Sequence, residues 1–125
     1  RIDIQIHVPR ETIQDGAINP IEDEIRLIRQ KIDAARVRQQ ERLHDAGIYS
    51  NAEITYKNID RLCVIEGSAE ALLAHVISTK GLSLRAYHKI KKLARTIADL
   101  DDSSTIKERH VAEALSLRLQ DIFAV

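Results

Sequence analysis

The chain has 125 residues, of which 44% are apolar and 30% charged, with 19 basic and 19 acidic side chains. This is the composition of a soluble globular domain, and a formal net charge of zero excludes a protein that coats nucleic acid through a global positive field. The single cysteine, Cys63, excludes an internal disulfide, and no apolar run approaches the roughly 20 residues of a membrane helix. We therefore expect a cytoplasmic protein that makes no membrane contact.

The first patterned segment, residues 2–8, alternates apolar and polar side chains. Its apolar positions are Ile2, Ile4, Ile6 and Val8. A period of two predicts a β-strand, which Pro9 ends. Because no second strand pattern follows, the backbone groups of this strand would need partners from elsewhere. We interpret residues 1–9 as the last strand of an α/β core that precedes the chain, and residues 10–19 as a connector.

A long helix is predicted next. Asn19 is a suitable N-cap and Pro20 suits the first helical position. Apolar residues then recur at intervals of four and three, at Ile21, Ile25, Ile28, Ile32 and Ala35. This pattern predicts a helix to about Leu43 with one narrow apolar seam. Its other faces carry Arg26, Arg29, Lys31, Arg36, Arg38 and Arg42. These residues could contact nucleic acid, a neighbouring subunit or solvent.

Two shorter helices follow the turn-rich segment 47–51. The first is predicted from Thr55 to about Cys63, whose sequence context indicates a buried, unreactive thiol. The second is predicted to be capped by Ser68 and to end at Gly81.

The last helix is predicted from a capping box of Thr105 and Glu108. Its apolar positions are Val111, Ala112, Leu115 and Leu119. The predicted fold is mostly α, with a helical bundle over residues 20–125 preceded by one orphan β-strand.

The segment 81–100, GLSLRAYHKIKKLARTIADL, predicts a strongly amphipathic helix. One arc is apolar and the other carries Arg85, His88, Lys89, Lys92 and Arg95. Ser83 is the expected N-cap, so Arg85 lies in the first turn, where the helix dipole disfavours a cation by roughly 0.3 to 1 kcal/mol. An anion there would be favoured both by exposed backbone N–H groups and by the guanidinium, which points to phosphate. A solvated basic face is the alternative.

Other chemistry is missing from the sequence. No Gly-rich phosphate loop occurs, and no apolar strand ends in paired acids for magnesium. The five histidines lack ligand spacing, so we expect no metal site. The chain alone is not expected to be an enzyme.

Four segments of the chain resemble a known family, the ComM/YifB branch of the magnesium-chelatase-like AAA+ ATPases. GLSLRAYHKIKKLARTIADL resembles the segment around the family's sensor-2 arginine, and RIDIQIHVP the strand after its arginine-finger position. AARVRQQER resembles its long helix, and GIYSNAEIT the loop that follows. The chain is thereby identified as the C-terminal lid domain of such a protein.

The resemblance implies roles for individual residues. Arg85 would be the sensor-2 arginine that contacts the γ-phosphate of ATP, acting on its own or a neighbouring subunit's nucleotide, and Arg1 would be the arginine finger. Ser83, Lys89 and Lys92 would complete the phosphate site, unless the lysines contact DNA. ATP and Mg²⁺ would be bound by the full-length protein, and not by this chain alone.

The resemblance also implies partners. The lid would work with its own N-terminal ATPase core and with neighbouring subunits in a hexamer that uses ATP to move DNA branches. Two alternatives stay open. The protein could be the motor subunit of a true magnesium chelatase that acts on a tetrapyrrole, or the chain could be a non-catalytic helical adaptor.

Overall fold

The computed structural model describes residues 3–10 and 22–118, and these form a helical bundle. Its helices are α1 (Glu22–Leu43), α2 (Ile59–Leu62), α3 (Gly67–Lys80), α4 (Leu84–Leu100) and α5 (Glu108–Ser116). Single 3₁₀ turns at His44–Ala46 and Asn51–Glu53 connect α1 to α2. Within the described residues the only β-pairing is an isolated bridge between Ile65 and Ile106. The predicted mostly α bundle is confirmed.

The segment before the bundle is neither helix nor strand over residues 3–10. The backbone N–H of Gln5 donates to the carbonyl oxygen of Leu117 at 2.6 Å, and this bond holds the segment against the end of α5. Ile4, Ile6 and Val8 are exposed. The period-two pattern therefore forms no strand here, since no strand lies beside it to complete a ladder. Residues 1 and 2, residues 11–19 of the connector, the first two residues of the predicted long helix and Leu119 of the last predicted helix lie outside the described residues.

The core is built around α4, which packs against both α1 and α5. Ile90, Ala94, Ile97 and Ala98 of α4 are buried. The first three of these form one core cluster with Leu43 from α1, Leu73 from α3, and Val111, Ala114 and Leu115 from α5. Removing these aliphatic side chains from water is the main stabilising contribution, at roughly 25 cal/mol per Å² of apolar surface. The interior is aliphatic, as the scarcity of aromatic residues predicts.

Helix α1 ends at Leu43 as predicted, but only its second half is packed. Ala35 and Leu43 are buried, whereas Ile25, Ile28 and Ile32 of the same seam are 43%, 57% and 38% exposed. The first half of α1 thus extends beyond the bundle.

Two predicted helix starts, those of α2 and α3, are wrong. The Asn58 carboxamide oxygen accepts from the backbone N–H of Thr55 at 2.9 Å, so residues 55–58 form a turn and α2 begins only at Ile59. Helix α3 begins at Gly67, so Ser68 lies inside the helix and does not cap it.

The start of α5 also differs from the prediction. The Thr105 hydroxyl donates to Glu66 at 3.0 Å, which removes it from the expected capping box. The helix instead begins at Glu108, where Nδ1 of His110 accepts from the backbone N–H of Lys107 at 2.9 Å. Ala112 is exposed and Ala114 takes the inward position.

Cys63 is fully buried, as predicted. Burial raises the pKa of its thiol to about 11, which keeps it protonated and unreactive near neutral pH. Across the described residues, no helix is both long and apolar enough to cross a bilayer.

A candidate phosphate-binding groove at the start of helix α4

The turn between α3 and α4 fixes the position of the first turn of α4. Gly81 ends α3 with φ of 63°, a left-handed conformation that glycine adopts without strain. The hydroxyl oxygen of Ser83 then accepts from the backbone N–H of Ala86 at 3.1 Å, so the predicted cap is formed. Leu84 is the first helical residue and Arg85 follows it. No acidic side chain lies in this first turn to offset the positive end of the helix dipole.

A groove of about 500 Å³ opens beside this turn. Its basic side is formed by Arg85, His88, Lys89 and Lys92 of α4. Its other side is formed by Ile54, Tyr56, Ile59 and Leu84. The structure thus brings together the predicted residues Arg85, Lys89 and Lys92, with Ser83 as the cap of the helix that carries them.

The two lysines of the groove already have partners. The ammonium of Lys92 donates to the carbonyl oxygens of Ala52 and Ile54, each at 3.3 Å. The ammonium of Lys89 lies 3.3 Å from the carboxylate of Asp3. Lys92 therefore holds the loop before α2 against α4, and Lys89 holds the N-terminal segment.

Asp3 is stabilised as a carboxylate by its neighbours. Burial opposes ionisation, but the hydrogen bond and charge of Lys89 and the nearby Arg118 outweigh it and hold the pKa of Asp3 below its usual range. The positive charge of Lys89 is thus partly neutralised within the chain.

Arg85 differs from both lysines. Its side chain is exposed, and it makes no hydrogen bond or ion pair with the residues in 3–10 and 22–118. A guanidinium offers five N–H donors in a planar fork that matches phosphate oxygens. Of the predicted phosphate ligands on α4, Arg85 is the one whose donors are available to a ligand.

The sequence prediction for Arg95 is wrong. The helical pattern predicts this residue on the basic face, but its side chain is 1% exposed. Its guanidinium donates to Asp99 at 3.0 Å and to the carbonyl oxygens of Ser103 and Ser104 in the loop after α4. Burial lowers the pKa of the Arg95 guanidinium, and the charge of Asp99 opposes that shift. Arg95 fixes the far end of α4 and binds no external anion.

Asp99 is the centre of a buried polar cluster that sequence reasoning missed. Arg42 of α1 donates to its two carboxylate oxygens at 2.6 and 3.0 Å. Asn51 donates its amide to the same carboxylate at 2.9 Å. The spacing of Arg95 and Asp99, four residues apart on one helix, was the available signal. It gave no indication that α1 contributes the third charged group.

The basic residues of α1, for which the sequence left nucleic acid, a neighbouring subunit or solvent open, divide into two groups. Arg42 binds Asp99, and Arg38 donates to the Asp99 carbonyl oxygen at 2.7 Å and pairs with Asp102 at 2.8 Å. Arg42 and Arg38 therefore hold α1 against the end of α4. Arg29, Lys31 and Arg36 are exposed, and Arg26 pairs with Asp23 one turn earlier.

Comparison with known proteins shows the family of the chain. Residues 23–118 match the family model described as "Magnesium chelatase, subunit ChlI C-terminal". The chain belongs to this family. Within the magnesium chelatase C-terminal family, it is 35% identical over 121 residues to the Competence protein ComM of Haemophilus influenzae and 32% identical over 120 residues to the uncharacterized protein YifB of Escherichia coli.

These matches cover 94% and 96% of the chain but only 23% of each relative. The uncharacterized protein YifB of Salmonella typhimurium is 32% identical over 94 residues. The chain therefore spans about a quarter of the length of the ComM and YifB relatives. The groove and the Asp99 cluster both lie inside the range that the family model matches.

Proposed function

We propose that this chain is the lid domain of a ring-forming AAA+ ATPase and that Arg85 contacts the γ-phosphate of ATP bound by a preceding core. The observation that carries the proposal is the exposed guanidinium of Arg85 in the first turn of a capped helix, with its donors available and the groove beside it. Membership of the magnesium chelatase C-terminal family supports it.

The groove suits a phosphate and does not suit a metal ion. Backbone N–H groups at the start of α4 and the Arg85 guanidinium both favour negative charge. In the described part of the chain, no three His, Cys, Asp or Glu side chains gather where they could hold a metal. The residues that hold Mg²⁺ and the rest of the nucleotide therefore belong to the proposed core, and this chain contributes positive charge.

That charge acts during phosphoryl transfer. Negative charge is spread over the oxygens of the transferring group in the transition state, and a positioned arginine stabilises it. Arg85 is held for this role by the Ser83 cap and the buried face of α4, while Lys89 and Lys92 position the surrounding segments. Arg1, proposed as an arginine finger toward a neighbouring subunit, lies outside the described residues.

For the whole protein we propose a hexameric motor that moves branched DNA. The proposal is supported by the similarity to the Haemophilus influenzae protein that is named Competence protein ComM. Closing of the lid over nucleotide would couple hydrolysis to movement of subunits, as in other hinge-type switches.

The Arg85 assignment is tested by Arg85→Ala in the full-length protein. We expect ATP hydrolysis to fall at least about tenfold, because one transition-state contact is lost, while thermal unfolding is unchanged since Arg85 is exposed. Arg61→Ala is the matched control, because Arg61 is an exposed arginine on α2 that does not line the groove. Hydrolysis that is unchanged in a stably folded Arg85→Ala protein would remove the assignment.

A second candidate function is a chelatase motor that acts on a tetrapyrrole. The observation that favours it is the description of the matching family, which names magnesium chelatase. The two functions predict different stimulants of ATP hydrolysis. Branched DNA would stimulate a DNA motor, whereas a porphyrin together with partner subunits would stimulate a chelatase motor.

A further inference from the structure

The projecting half of α1 carries an apolar stripe that nothing in the described residues covers. Ile25, Ile28 and Ile32, which we name the α1 seam, are 43%, 57% and 38% exposed. Exposed apolar side chains that are aligned on one helix face usually mark a contact surface. Leu27 is also exposed, at 63%, but it lies off the seam.

The spacing of the α1 seam is that of a coiled coil. With Ile25 at position a of a heptad, Ile28 falls at d and Ile32 at the next a. Five charged residues flank the stripe at the e and g positions. They are Glu22, Arg29 and Arg36 at e, and Glu24 and Lys31 at g. All five are exposed, and none of them forms an ion pair with another described residue.

The signs of these charges suit a second copy of the same helix in the antiparallel direction. When Ile25 is opposite Ile28 of the second copy, Glu22 is adjacent to Arg29 and Glu24 to Lys31, and the two-fold axis repeats each pair. Both of these pairs are then of opposite sign, while Arg36 would face residue 15, outside the described residues. A parallel arrangement would place Glu24 next to Arg29 of the second copy, which is attractive, but also Lys31 next to Arg36, which is repulsive.

We propose that the α1 seam binds a second copy of this chain as an antiparallel, two-fold symmetric helix pair. A second copy is inferred as the partner because the flanking charges of α1 are complementary to those of the same helix in the antiparallel direction. The inference does not depend on the nucleotide role of Arg85. About three turns of helix take part, so the interface is smaller than the ~1,200 Å² of standard stable complexes. The pair is accordingly weak and concentration-dependent.

Sedimentation equilibrium of the 125-residue chain over a concentration series tests the pairing. The wild-type chain is expected to show a monomer–dimer equilibrium. Ile28→Glu should raise the dissociation constant at least about tenfold, because it buries a charge at the centre of the seam. Leu27→Glu is the matched control, and it should leave the constant unchanged because Leu27 lies off the seam. Circular dichroism checks that both variants keep their helix content.

Charge reversal tests the direction of pairing. Glu22→Arg should weaken the dimer, and the double variant Glu22→Arg with Arg29→Glu should restore it, since each pair is again of opposite sign. In a parallel pair the double variant would not restore the dimer, because Arg29→Glu would place a second acidic side chain beside Glu24. A wild-type chain that stays monomeric would overturn the proposal. Equal weakening by Ile28→Glu and Leu27→Glu, or no rescue by the double variant, would overturn it as well. So would a monomeric full-length protein whose seam is protected from hydrogen exchange, because a segment of its own polypeptide would then cover the stripe.

Discussion

The carboxylate of Asp99 is 1% exposed and binds two guanidiniums, from Arg42 and Arg95. A buried ion pair of this kind adds little net stability over an apolar substitute, because both charges lose their hydration. Removing one partner is different, since the remaining charge is then buried without compensation. Asp99 therefore fixes how α1 meets α4 more than it adds to the total free energy of unfolding.

We expect Asp99→Asn to lower the free energy of unfolding by about 3 to 5 kcal/mol, because two arginines would lose their counter-charge. Urea denaturation measures the change. Asp102→Asn is the control, since Asp102 pairs with Arg38 at an exposed position and asparagine tolerates its φ of 53°. The control should change stability by less than about 1 kcal/mol. Equal losses in the two variants would contradict the role given to Asp99.

A pH-dependent contribution to stability is expected from Asp101. Hydrogen bonds from His110 and Arg109 lower its pKa from 3.8 to about 2. Because Nδ1 of His110 accepts from Lys107, its Nε2 carries the proton and donates to Asp101 at 2.8 Å. A carboxyl whose pKa is lower in the folded state contributes stability above its unfolded pKa, and that contribution is lost as the pH falls.

The stability difference between wild type and Asp101→Asn should therefore be constant above about pH 5 and shrink as the pH falls from about 4 toward 2. Urea denaturation at a series of pH values measures it. A difference that does not change over this window would show that the carboxylate of Asp101 does not contribute through its ionised form.

Arg85 and Arg95 show how far the sequence could predict individual roles. Both lie on the polar arc of one helical wheel, and the wheel does not separate them. What separates them is the loop at 103–104, which folds back so that its carbonyl oxygens meet Arg95. That is a tertiary contact, and no local pattern encodes it.

At the scale of elements, the strongest periodic patterns were predicted well and the helix starts less well. The bounds of α4 and the ends of α1 and α3 follow from apolar spacing, the Ser83 cap and Gly81. The predicted starts of α2 and α5 are wrong because Thr55 bonds to Asn58 and Thr105 bonds to Glu66. Such hydrogen bonds compete with helix formation, and the sequence alone does not show which of the possible bonds forms.

The turn from α3 to α4 depends on Gly81. A Cβ at this position would meet no atom within 4 Å, so the cost of Gly81→Ala comes from its φ of 63° alone. We expect a loss of about 1 kcal/mol in the free energy of unfolding. Gly67→Ala is the matched control, because Gly67 also has open space but no positive φ. Thermal unfolding of both variants measures the effect, and an equally destabilised control would show that helix packing rather than φ is responsible.

At the scale of the whole molecule, membership of the family was predicted from four segments and is confirmed over residues 23–118. The division of α1 into a packed half and a projecting half was not predictable, because both halves share the same intervals of apolar residues. Only the position of α4 decides which half is covered. The chain is about a quarter of the length of its ComM and YifB relatives.

The bonds at the far end of α4 have a mechanical consequence. Arg95 binds the loop that follows α4, and Asp99 binds α1, so the last two turns of α4 are held to the rest of the bundle. A force applied at the Arg85 guanidinium would therefore pass along the 17 residues of α4 and move the whole bundle as one rigid body.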